Sequence, residues 1–331
     1  MSLRASKPVR RAFVFGGGGV LGFAWIVGAL SAIAAELGIE VGPQDQLIGT
    51  SAGSVMSGLL ASGLNVDAIR RYQTGMPLPE DPPISWNYDT DSGGALPPRP
   101  GWRPGSPRLV WGGIRRPASV TAFVALSGLL PQGRGTLEPI HRMISEVEAG
   151  RQPPATWPAQ PTWIVATDYS SGRRVVFGKD GEPRASLPDA VCASCAIPAW
   201  YAPVEINGVP YIDGGTRSNA SVDLLLETEV DEVFVLAPMA ALHPDAPRSP
   251  VAILERRLRR VITRGILADV ERLRARDVRV HLLTPGVEDL EVMGANLMNP
   301  RRRAAVLQTS LQTSAAILRA NATTRRQADA G

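Results

Sequence analysis

The stretch RRAFVFGGGGVLGFAWIVGALSAIAAE, residues 10–36, holds four consecutive glycines and no charged side chain between Arg11 and Glu36. It admits four readings. Arg10-Arg11, the apolar run and the A-x-A at Ala32–Ala34 mimic a twin-arginine export signal. Ala12–Ala35 is uncharged and long enough to cross a bilayer. Against both stands the cost of adjacent glycines in a helix, about 1 kcal/mol each. A strand, a glycine turn and a buried helix use the same residues without that cost. Ala12–Phe15 reads as a short buried strand, and Val20–Leu37 as an apolar helix stopped by Gly38. The third reading is a dinucleotide turn, because Gly17-x-Gly19-x-x-Gly22 lies between that strand and helix. That fingerprint also wants an acidic residue at the end of the second strand. Here Gln46–Ile48, the second strand candidate, runs into Gly49-Thr50-Ser51-Ala52-Gly53, and Glu40 and Asp45 precede it. The fourth reading, the floor of an active site, depends on that second corner.

GTSAG at a strand-to-helix junction has the form of a nucleophile elbow: a serine on a sharp turn, with glycines that let neighbouring backbone pass close by. A serine nucleophile needs a base and an oxyanion hole. Amides of Gly17, Gly18 and Gly19 at a helix N-terminus can supply the hole, since the helix dipole favours negative charge there. Two candidates compete for the base. A Ser-His-Asp triad would draw on His243, the best placed of three histidines; His141 and His281 lie in less suitable segments. A carboxylate acting directly on the serine would come from YIDGG, where Asp213 ends a strand and Gly214-Gly215 follow. Asp168, after TWIVAT, is the rival acid, although an aspartate before a turn often serves as a cap.

The rest of the chain frames this site. Its 331 residues suffice for a large core, with a net charge of +4 and a mean hydropathy near zero. Nearly all cations are arginines spread along the sequence, so composition explains most of them; a smaller share of the basic charge suits phospholipid headgroups. No basic stripe interleaved with aromatics marks a nucleic-acid surface. Cys192 and Cys195 form a lone C-x-x-C without the further ligands zinc requires, and read as small residues of a packed helix. We expect a basic tail over 1–11 and one α/β domain over 12–331. Strands alternate with helices and imply a largely parallel central sheet. The proline-, glycine- and tryptophan-rich segment 75–117 reads as an irregular insertion or lid, and the apolar segment 118–131 as a helical wall. Helices are expected over 251–276 and 301–320.

Four blocks in order give the chain a resemblance to the patatin-like phospholipases, the bacterial patatin-like acyl hydrolases. GGGGVLG (Gly16–Gly22) is similar to their glycine-rich oxyanion block, GTSAG (Gly49–Gly53) to their elbow, ASCAIP (Ala193–Pro198) to a helix end, and DGG (Asp213–Gly215) to their aspartate motif. IVATDYSSGRRVVF is similar to their hairpin region. The resemblance implies a three-layer fold and a lipid acyl hydrolase of the phospholipase A, lysophospholipase or carboxylesterase type. It implies a Ser51–Asp213 dyad, an oxyanion hole around Gly17, Gly18 and Gly19, and neither metal nor cofactor. The substrate would be a lipid acyl ester, with peripheral membrane contact and a cytoplasmic location. One position departs from the pattern: Leu21 stands where the family often carries Arg or Lys. That departure keeps a catalytically degenerate lipid- or partner-binding protein, alongside the triad esterase, as an alternative.

Overall fold

The computed structural model describes residues 9–88, 90–99, 105–115, 124, 127–150, 156–243, 245, 247 and 249–329. Among these residues eight strands form one sheet: β1 Arg11–Phe15, β2 Gln46–Thr50, β3 Thr162–Asp168, β4 Arg174–Phe177, β5 Val204–Ile206, β6 Val209–Asp213, β7 Glu232–Leu236 and β8 Arg279–Leu283. Its order is β5-β6-β3-β2-β1-β7-β8, with β4 also on β3. The run β3-β2-β1-β7-β8 is parallel throughout, and β4, β5 and β6 join antiparallel. The central strands are short, apolar and bounded by glycines or turns, as expected where both faces are covered.

Successive side chains of a strand point to opposite faces, and β1 separates two cores accordingly. Phe13 and Phe15 pack on one side with helices α1 Gly19–Leu37, α2 Ala52–Ala61, α5 Glu138–Ala149, α6 Leu187–Cys195 and α9 Arg303–Asp329. Ala12 and Val14 pack on the other, against Ile266, Val270 and Leu273 of α7 Pro250–Arg274 and the short 3-10 segment Val222–Glu227. The remaining helices among the described residues are α3 Val66–Thr74, α4 Pro107–Arg115 and α8 Val287–Met293. This is the expected three-layer α/β architecture.

Helix α1 is the only described helix long and apolar enough to cross a membrane. Its apolar surface is consumed within the protein: residues on every side of it are buried, from Leu21 and Trp25 to Val27 and Ile33, as in a core helix. It crosses α9 closely at Gly28, where an added Cβ would lie 2.5 Å from the Leu307 carbonyl oxygen and 2.8 Å from Ser310 Cβ. Ser310 Oγ donates to the Trp25 carbonyl at 2.7 Å across the same crossing.

Several boundaries differ from the sequence reading. Tyr201–Val204 is not a strand; Tyr201 makes only a single bridge to Gly135, and the strand is Val204–Ile206. The hairpin after it turns through Asn207 and Gly208, both at positive φ, as its two-residue loop requires. Helices α5 and α8 were not anticipated, and α4 lies inside the segment whose proline and glycine content masked it. Residues 118–123, 125 and 126 of the expected helical wall, and Trp102, lie outside the described residues.

The α1–α9 crossing gives a stability test. Gly28→Ala gains about 1 kcal/mol of helix propensity, but overpacking against backbone costs about 1–3 kcal/mol. We expect net destabilisation, read as a lower denaturant midpoint; a stabilised variant would show that the two helices do not meet there.

Candidate active site

The sheet brings the site together at one edge of β3. Thr50, the last residue of β2, is paired with Val165, and Asp213, the last residue of β6, with the next residue, Ala166. β4 spans Ile164–Thr167 and overlaps both partners, so it occupies the opposite edge of β3. β2 and β6 therefore share one edge, running in opposite directions, and their C-terminal ends meet. Gly214 permits the meeting, because a Cβ there would stand 2.2 Å from the Val165 carbonyl oxygen. The Asp213 carboxylate accepts from the Gly215 amide at 2.7 Å, and the Ser51 side chain stands close enough to favour its ionised form.

Ser51 sits between β2 and α2 with φ 54° and ψ −120°. For a residue with a Cβ, such a conformation costs of order 1–3 kcal/mol unless the surroundings hold it. They do. The Ser51 amide donates to Ser194 Oγ at 2.9 Å, and that hydroxyl donates to the Val165 carbonyl at 2.6 Å. The Ser51 carbonyl accepts from Ser54 Oγ at 2.6 Å and from the Cys195 thiol at 3.3 Å. The flanking glycines are steric necessities: a Cβ on Gly53 would meet the Phe15 carbonyl oxygen at 2.0 Å, and one on Gly49 the Gly53 carbonyl oxygen at 2.4 Å. The corner after β1 and the corner after β2 are thereby locked together. Ser194 and Cys195 belong to the ASCAIP block, but their hold on Ser51 could not be inferred from its spelling.

The glycine corner is divided in its roles. The Gly16 amide is spent on the Leu236 carbonyl and the Gly17 amide on the Asn219 carbonyl at 3.0 Å. This corrects the expectation that Gly17 offers a free donor; its part is close approach, since an added Cβ would lie 3.2 Å from Ser51 Cβ. The amides of Gly18 and Gly19 have no partner among the described residues, and both glycines line the cleft that holds Ser51 and Asp213. Gly19 takes φ 60° and packs on Met298 and the Leu297 backbone; Gly18 rests on Pro238, whose carbonyl accepts from the buried Arg259 guanidinium. Leu21, the position that departs from the resemblance, is fully buried in the core, and its amide donates to the Leu297 carbonyl. Here an apolar anchor and a backbone hydrogen bond hold the loop.

The rival groups are engaged elsewhere. Asp168 Oδ1 accepts from the Ser170 and Ser171 amides at 2.7 and 3.1 Å and caps the β3–β4 turn. His281 lies 3.1 Å from Glu232 and stacks on Phe234 with ring centroids 4.4 Å apart. His141 faces Asp189 at 3.4 Å. His243 is exposed and lines neither cavity at Ser51. Burial raises Asp213 to a pKa of about 6, with the nearby Ser51 side chain and the Gly215 amide opposing the rise. Burial also pushes Cys192 up to about 12 and Cys195 well above the usual thiol value, which keeps both as thiols of a packed helix.

Two cavities meet at Ser51. One is an apolar pocket lined by Val55, Leu59, Ile69, Ile140, Met143 and Trp86. The other is a wider cleft containing Gly18, Gly19, Asp213 and Asn219, with Leu130, Leu258 and Val261 on its walls. Part of the 75–117 segment forms a wall of the apolar pocket, through Ile84, Trp86 and Tyr88. It is fastened to the body: Arg142 bonds the Ser85 carbonyl and Asp91, Glu146 accepts from the Ser85 amide, and the Arg303 guanidinium lies 4.0 Å from the centre of the Tyr88 ring.

A search of curated proteins found no match. Among solved structures, the crystal structure of VipD from Legionella pneumophila is similar to this chain at 14% identity, covering 95% of this chain and 68% of that one with a TM-score of 0.44. The family model for patatin-like phospholipase matches residues 13–226, more than half of the chain and the whole stretch from the glycine corner past Asp213. The chain belongs to the patatin-like phospholipase family.

Proposed function

We propose that this protein is a serine-dependent lipid acyl hydrolase in which Ser51 is the nucleophile and Asp213 the base. The observation that carries this reading is the meeting of Ser51 with a buried carboxylate where β2 and β6 end on one edge of β3, at the junction of an apolar pocket and an open cleft. Membership of the family supports the general class, lipid acyl hydrolysis. Ser51 Oγ attacks the ester carbonyl carbon as its proton passes to Asp213. The amides of Gly18 and Gly19 stabilise the oxyanion; one such donor is worth about 2.7–4 kcal/mol of barrier. The protonated Asp213 then returns its proton to the departing alcohol oxygen, leaving an acyl-enzyme. Water, deprotonated by Asp213, attacks the acyl carbon and regenerates Ser51. The acyl chain occupies the apolar pocket and the alcohol portion leaves through the cleft. His243 lines neither cavity at Ser51, which supports the carboxylate over the triad alternative.

The raised Asp213 acidity has two opposite consequences. As a base it works only when ionised, so activity is present above pH 6 and lost as pH falls through 6. For stability the sign reverses. A carboxyl group whose folded value exceeds its unfolded value stabilises the fold when protonated, and that contribution is lost as pH rises through about 6. A rise from 3.8 to about 6 corresponds to about 3 kcal/mol.

Ser51→Ala and Asp213→Asn are expected to abolish hydrolysis of a soluble chromogenic acyl ester, whereas His243→Ala retains it. Fluorophosphonate labelling of the wild type but not of Ser51→Ala identifies the nucleophile, and an unlabelled, inactive wild type would indicate the degenerate lipid-binding alternative. The profile of kcat/KM against pH should show an acid limb near pH 6; a limb near pH 4 would mean that Asp213 is not desolvated or not the base. Asp213→Asn should unfold at higher denaturant than wild type at pH 8 and alike at pH 4. Ser194→Ala orphans the buried Ser51 amide, at a cost of about 1–3 kcal/mol, and should lower kcat and stability while KM holds. A wild-type kcat would remove Ser194 from the elbow's support.

A further inference from the structure

Helix α7 buries one side, including Arg256, Arg259, Thr263 and Ile266, beneath the sheet and its loops. Its outer side is not uniformly polar. Val251, Leu254, Leu258 and Val261 are 68%, 68%, 37% and 64% exposed. Spacings of three and four residues put them on one stripe. The adjoining stripe carries Arg257, Arg260 and Arg264, all exposed. Among the described residues none of these three is paired with a carboxylate; the ion pairs of this segment belong to Arg256 and Arg259, which bind Asp245 and Glu255.

The stripe continues into the site. Leu258 and Val261 form a wall of the cleft that opens on Ser51 and Asp213, and Leu130 lines it as well. Leu129 and Leu130 are themselves 61% and 41% exposed. A contiguous aliphatic rim around a cleft demands an occupant. Protein interfaces draw their anchors from tyrosine and tryptophan, whereas this ridge is aliphatic with a basic flank. That is the composition of a helix lying in the boundary between anionic headgroups and acyl chains.

We propose that the α7 ridge, with its Arg257–Arg260–Arg264 flank, seats the mouth of the cleft on an anionic phospholipid surface. The aliphatic side chains enter the acyl boundary, the guanidinium groups bind phosphates, and a lipid ester reaches Ser51 from the bilayer without crossing bulk water. The surface rests on the catalytic reading only for the identity of the ester.

The test is cosedimentation of the inert Ser51→Ala protein with vesicles of phosphatidylcholine alone or mixed with phosphatidylglycerol. We expect binding to the mixed vesicles, weakened by salt and much lower on the neutral ones. In the Ser51→Ala background, Arg257→Glu/Arg260→Glu/Arg264→Glu should reduce partitioning by roughly a hundredfold or more, and Val251→Asp/Leu254→Asp should also lose binding. With Ser51 present, both sets should keep the wild-type rate on a soluble short-chain ester, which excludes misfolding. Binding equal to the parent in both sets, or no vesicle binding by Ser51→Ala, overturns the proposal. So does a dimer that the ridge substitutions dissolve while vesicles remain unbound. Vesicle binding without ester hydrolysis upholds the surface and refutes the catalytic reading; soluble-ester hydrolysis without vesicle binding does the reverse.

Discussion

β3 has two edges and three partners, and the site follows from how they are shared. β4 takes one edge; β2 and β6 divide the other, the first ending at Val165 and the second beginning at Ala166. A parallel and an antiparallel neighbour on one edge approach each other with their C-terminal ends. Whatever ends or directly follows those strands must come together, and here β2 runs straight into Ser51 while β6 ends on the Asp213 carboxylate. Backbone ladder hydrogen bonds, which leave little positional freedom, therefore set the juxtaposition of Ser51 and Asp213.

Two kinds of destabilisation are concentrated there. Ser51 occupies a backbone conformation disfavoured for any residue with a side chain, and Asp213 holds a carboxylate in a dry setting. Both are offset by neighbours drawn from distant parts of the sequence. Ser194 and Cys195 hold the amide and carbonyl of Ser51, and Gly215 solvates Asp213 through its amide. The glycines make this possible by absence: at Gly49, Gly53 and Gly214 even a methyl group would strike backbone. Strain at the site is thus carried by close packing around it.

The same economy of surface links core to exterior. Helix α1 is apolar on all sides because sheet, α2, α3 and α9 enclose it. Helix α7 covers the opposite face of the sheet with one side only, and its buried Arg259 reaches the Pro238 carbonyl behind Gly18 while its outer ridge borders the cleft. One helix consequently contributes to the second core, to the support of the glycine corner and to the rim.

Much of this was legible in the sequence, for local reasons. Strand–glycine–helix punctuation identified β1–α1 and β2–α2, because only glycine tolerates the backbone approach those corners require. GTSAG and DGG each marked the end of a strand, and ordered blocks tied them to a family and its three-layer fold. The irregular composition of 75–117 concealed α4, although its tryptophans pointed to a lid or pocket element, and Trp86 does wall the apolar pocket together with Tyr88. Which glycine amides remain free was also hidden, since Gly17 is taken by Asn219, some two hundred residues along the chain. The sequence by itself determined the corners, the residue types at them and the alternation that makes a layered α/β protein; these depend on neighbours a few positions apart. Only the tertiary structure decided which carboxylate meets Ser51, which donors stay open and where the apolar rim lies, because pairing register and burial arise from contacts between segments that the chain order leaves far apart.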